Sequence, residues 1–156
     1  MAVFNDPPIT VTLQAPATPF VRADLEIHGV DHSRASYEGR IYFNHPDADR
    51  SSPKDVDHGY AGSFYVFGHG GCAGDVGHCE VPSGPARPAD FRPEHQLVPI
   101  TQRVIVTDAL RAAVAKRRTL KVTIVPFIDP IDAEDLPEAL ISDILVFDGL
   151  ELLTYQ

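Results

Sequence analysis

Alternation of apolar and polar residues at every second position constrains this chain more than any other feature. Along residues 20–28, Val21, Ala23, Leu25 and Ile27 share one parity, and Arg22, Asp24, Glu26 and His28 share the other. That is the pattern of a strand with one face in a core and one face toward water. Shorter runs of strand character recur at residues 9–14, 37–44, 60–67, 103–106 and 120–127. The tract 60–67 is aromatic and β-branched, as pleated surfaces favour. Prolines and glycines punctuate these runs at turns.

One stretch reads as a helix. Thr107 or Asp108 supplies its N-cap, and Ala109, Leu110, Ala112, Ala113, Val114 and Ala115 follow. It runs into the cations Lys116, Arg117, Arg118 and Lys121, which suit a helix C-terminus. Residues 129–137 read as an acidic, proline-bearing loop. Residues 144–153 place Asp148-Gly149 between two apolar runs, as in a hairpin or one bent strand. Parallel α/β folds need a helix between most strands. The expected fold is therefore all-β: an antiparallel β-sandwich with one short α-helix and a long Gly/Pro-rich loop over 68–99. Its 156 residues suit a single domain, with 1–19 as an extended N-terminal segment.

Charge narrows the partners. Thirteen Lys and Arg stand against 22 Asp and Glu, a net charge of −9. Nucleic-acid binding, which needs a basic face, is not expected. No run approaches the ~20 apolar residues that span a bilayer, so no membrane partner is expected. Residues 1–12 lack the basic and apolar regions of a secretory signal, which makes a cytoplasmic location the default.

The chemistry-bearing residues concentrate in the long loop. His69, Cys72, His78 and Cys79 lie among glycines that would let the backbone wrap an ion. Imidazole and thiolate suit copper first and zinc second. A Cys72–Cys79 disulfide is the competing reading, because the spacing matches no standard zinc motif. His28, His32 and His58 are weaker metal candidates. His58 and His69 flank one strand and would stand about 35 Å apart on an extended chain. Hydrolase and phosphate-loop motifs are missing, and a cupredoxin would need an axial ligand that Met1, the one methionine, does not offer.

Three blocks in order resemble the C-terminal, haemocyanin-like β-sandwich domain of the tyrosinase and polyphenol oxidase family. The first is Tyr37-Glu38-Gly39-Arg40-Ile41-Tyr42-Phe43-Asn44 with Pro46-Asp47. The second is Tyr60-Ala61-Gly62-Ser63-Phe64. The third is Val104-Ile105-Val106-Thr107-Asp108-Ala109-Leu110 with Lys121-Val122-Thr123-Ile124-Val125-Pro126. The resemblance spans residue 26 to the C-terminus, apart from the His-, Gly- and Cys-rich loop. It implies a non-catalytic accessory domain that shields or stabilises a tyrosinase-type catalytic domain and in some cases handles copper. The oxidase itself is not expected in this chain. A dicopper centre takes two sets of three histidines, mostly from helices, and none of the seven histidines lies on the expected helix. An alternative is a self-associating β-sandwich module without metal, using Tyr42, Tyr60 and Tyr65 as exposed aromatics.

Overall fold

The structure, a computed structural model, describes residues 6–17, 19–70, 98–115 and 118–156. The described residues form seven strands: β1 (Ile9–Gln14), β2 (Arg22–Val30), β3 (Tyr37–Phe43), β4 (Tyr60–Val66), β5 (Ile100–Ile105), β6 (Thr119–Phe127) and β7 (Gly149–Tyr155). Three short helices accompany them: α1 (Thr107–Val114), α2 (Pro130–Glu134) and α3 (Glu138–Ile141). All strand pairing is antiparallel. One sheet runs β1-β6-β3-β4 and the other runs β5-β2-β7.

The period-2 pattern explains which residues are buried. On β2, Ala23, Leu25 and Ile27 are wholly buried, and Leu25 is flanked by Val104 and Leu152. On the four-stranded sheet, Ile41 of β3 aligns with Ile124 of β6, and Leu120 and Val122 extend the row. Residues of both sheets and Leu110 of α1 belong to one apolar cluster. Leaving water drives this assembly, at about 1.5–3 kcal/mol for each large aliphatic side chain.

Three local expectations are corrected. The acidic tract after Phe127 forms α2 and α3, because the Asp129 side chain accepts from the Ile131 N–H and Pro130 stands in the first turn. The tract at 144–153 is no hairpin: β7 starts at Gly149, and the Asp148 N–H donates to the His28 carbonyl, so this tract enters the sheet against β2. The helix α1 ends at Val114, its N-cap is Val106, and Lys121 lies on β6 rather than at a helix end. No helix among the described residues is long and apolar enough to cross a membrane.

Candidate metal centre

The outer face of the three-stranded sheet gathers the polar parity of β2. Glu26 and His28 stand two apart on that strand, and Glu151 of β7 lies directly opposite Glu26. The His28 Nε2 is 3.2 Å from a Glu151 carboxylate oxygen and 3.4 Å from Glu26 Oε2. One ligand atom from each of the three residues lies within 4.8 Å of the other two, so the group could hold a metal ion.

The surroundings fix this geometry. Arg103 of β5, on the other side of Glu26, donates from Nε and Nη2 to Glu26 Oε1. Its second oxygen, Oε2, therefore faces His28. A bulge interrupts β2 here: Ile27 pairs with Gln102 and Val30 with Ile100, so His28 and Gly29 together oppose Thr101. Gly29 adopts φ +67°, where a Cβ would also strike the Asp148 carboxylate. The Thr101 hydroxyl lies 3.4 Å from His28 Nδ1. Opposite His28 stands Gly149, where a Cβ would meet nothing within 4 Å. The side chains grade outward, from Glu26 at 10% exposed through His28 at 38% to Glu151 at 58%. Two carboxylates and one guanidinium give the cluster one formal negative charge before His28 is counted.

The other histidines form separate groups. His69 lies beside His32, with ring centroids 4.9 Å apart and a hydrogen bond from the His69 N–H to the His32 carbonyl. The His32 Nε2 donates to the Val98 carbonyl. The His69 Nδ1 is buried and has no hydrogen-bond partner among the described residues. His58 lies 2.6 Å from Asp55, and that hydrogen bond holds the Asp55 carboxyl below its usual range. The His45 Nδ1 donates to the His58 carbonyl, and both residues line an open cleft of about 480 Å³ with Ala109, Ala112 and Ala113. The structure thus brings His32 to His69 and leaves His28 and His58 apart from them. Cys72, His78 and Cys79, and with them the ligand and disulfide readings of the loop, lie outside the described residues.

Of these groups, the sequence singled out His28 but not Glu26 or Glu151. Its alternation puts Glu26 on the same face as His28, which was the available signal. Glu151 joins them only through the β2–β7 pairing.

The aromatics need one correction. Tyr42 is wholly buried and Tyr60 half-buried, whereas Tyr65 is exposed. The loop after β3 folds over Tyr42, whose hydroxyl donates to the Ser52 carbonyl while Ala48 and Val125 pack on the ring. The sequence matches no protein-family model and no curated protein.

Proposed function

We propose that this chain is a non-catalytic β-sandwich accessory domain that shields or stabilises an oxidase of the tyrosinase and polyphenol oxidase type. One observation carries the reading. The three blocks of the resemblance fall on β3, on β4 and on the end of β5 with α1 and β6; β6-β3-β4 are consecutive neighbours in one sheet, and β5 belongs to the other. Asn44, at the end of the first block, ties them further: its side chain donates to the Ala113 carbonyl of α1 and accepts from the Lys121 N–H of β6. Residues scattered along the chain thereby form one contiguous unit, as a shared domain requires. The larger apolar cluster, fed by both sheets, favours the sandwich form.

Copper handling belongs to the same reading. The His69 Nδ1, buried and unpartnered among the described residues, is the imidazole that fits a soft or borderline ion. His69 would supply one nitrogen donor at the root of the Gly-rich loop. The test is to mix the full chain with a tyrosinase-type catalytic domain. A stable complex and slower diphenol turnover are the expected result. Separate elution with unchanged turnover would sink the reading.

A second reading, self-association, has its own observation. β4 is a terminal strand of its sheet, and Tyr65 and the following Phe67 are 69% and 78% exposed. A concentration-dependent dimer in light scattering, abolished by Tyr65→Ser with Phe67→Ser, would favour it.

A further inference from the structure

We propose that Glu26, His28 and Glu151 form a binding site for a divalent cation of the zinc class, independent of the Gly-rich loop. The argument starts from distances. Ligand atoms about 2.0–2.1 Å from a tetrahedral zinc ion lie about 3.3–3.4 Å from one another. The two edges that meet at His28 Nε2 measure 3.2 Å to Glu151 and 3.4 Å to Glu26. Two of the three edges thus stand at tetrahedral spacing, and the two carboxylate oxygens lie within 4.8 Å of each other.

One imidazole hydrogen cannot serve both carboxylates at once. His28 Nε2 carries at most one hydrogen, yet two carboxylate oxygens converge on it. Its hydrogen bond goes to Glu151. Glu26, whose side chain is nine-tenths buried, gives Oε1 to Arg103 and holds Oε2 3.4 Å from the same nitrogen. A cation at the centre would satisfy all three donors at once. It would also offset the formal negative charge.

The neighbours supply what a metal site needs beyond its ligands. Arg103 holds Glu26 by Oε1 and leaves Oε2 for the ion. Thr101 lies against His28 Nδ1, on the ring side away from the carboxylates. Such outer contacts orient ligands and tune affinity. Gly149, opposite His28, leaves open space where a fourth ligand such as water would sit. Carboxylate and imidazole donors with no sulfur favour zinc over copper(I).

The test is calorimetric titration of zinc chloride into the full chain whose cysteines have been alkylated, which removes the loop thiolates. One equivalent of zinc is expected. His28→Ala and Glu151→Gln, both at partly exposed side chains, should each weaken it at least about tenfold. Cobalt(II) in place of zinc should give tetrahedral visible bands without sulfur charge-transfer absorption. The proposal fails if the alkylated protein takes up no zinc. It fails equally if folded His28→Ala and Glu151→Gln proteins, judged by unchanged near-ultraviolet dichroism, bind as wild type does.

Discussion

Arg40 lies over Phe127, with its guanidinium carbon 3.5 Å from the ring centroid, while its Nε donates to Glu38 on the same face of β3. Glu38 is the hub of this outer face: Lys54 and the Ser63 hydroxyl also donate to it, each at 2.6 Å. Burial alone would raise the Glu38 pKa, but hydrogen bonds from Lys54, Ser63 and Arg40 outweigh it and bring the value from the ordinary 4.5 down to about 2.

A depressed carboxyl stabilises the fold above its unfolded pKa and ceases to as pH falls through its folded one. The Glu38 contribution is therefore complete above about pH 4.5 and lost between pH 4.5 and about 2. Glu38→Gln should flatten the acid limb of stability in that window, measured by urea unfolding at a series of pH values. At pH 7, Glu38→Ala should cost about 2–4 kcal/mol, because Arg40 loses its buried partner.

Gly39 leaves room for the ring of Phe64, its partner across β3 and β4. A Cβ at residue 39 would stand 2.2 Å from that ring. Gly39→Ala should cost about 1–3 kcal/mol through overpacking. In a double-mutant cycle with Phe64→Leu, the combined loss should be smaller than the sum of the single losses. A purely additive cycle would count against this contact.

Leu110 is the one wholly buried residue of α1 and joins the shared apolar cluster. Leu110→Ala should open a cavity and cost about 2–5 kcal/mol in chemical denaturation. Ala112→Ser, on the exposed side of the same helix, should stay within about 0.5 kcal/mol of wild type.

Asp6 fastens the segment before β1 to the turn after α3, where its two oxygens accept from the Asp143 and Leu145 N–H groups. Asp6→Ala should remove about 1 kcal/mol and speed hydrogen exchange at those two amides. Unchanged protection there would show that the contact contributes nothing in solution.

β1 and β2 were legible because each carries a period-2 record in its sequence, and β4 because its residues are aromatic and β-branched. Residues 9–14 were bounded as found, and 20–28 differ from β2 by two residues at each end. What failed depends on neighbours. Pro130 reads as a loop residue until Asp129 is seen capping the turn it begins. Tyr42 has the polar parity of an exposed residue, and only the folded loop over it buries the ring. His28 was visible as a lone donor, but it meets Glu151 across 123 residues of chain, and no local pattern encodes that register. Asp24 makes the same point: its parity faces outward, yet it is fully buried and gripped by Arg22 at 2.8 and 2.9 Å.

The pairing of β1 with β6 sets a timetable for synthesis. Thr10 bonds Thr123, its cross-strand partner 113 residues later, and β2 gains its second partner only with β7. At 5–20 residues per second, β1 waits on the order of ten seconds for β6 to leave the ribosome. Through that interval the apolar rows of β1, β2 and β3 have no finished sheet to enter. A nascent chain arrested before Thr119 should therefore bind holding chaperones and resist release, and one extended through β7 should fold free of them.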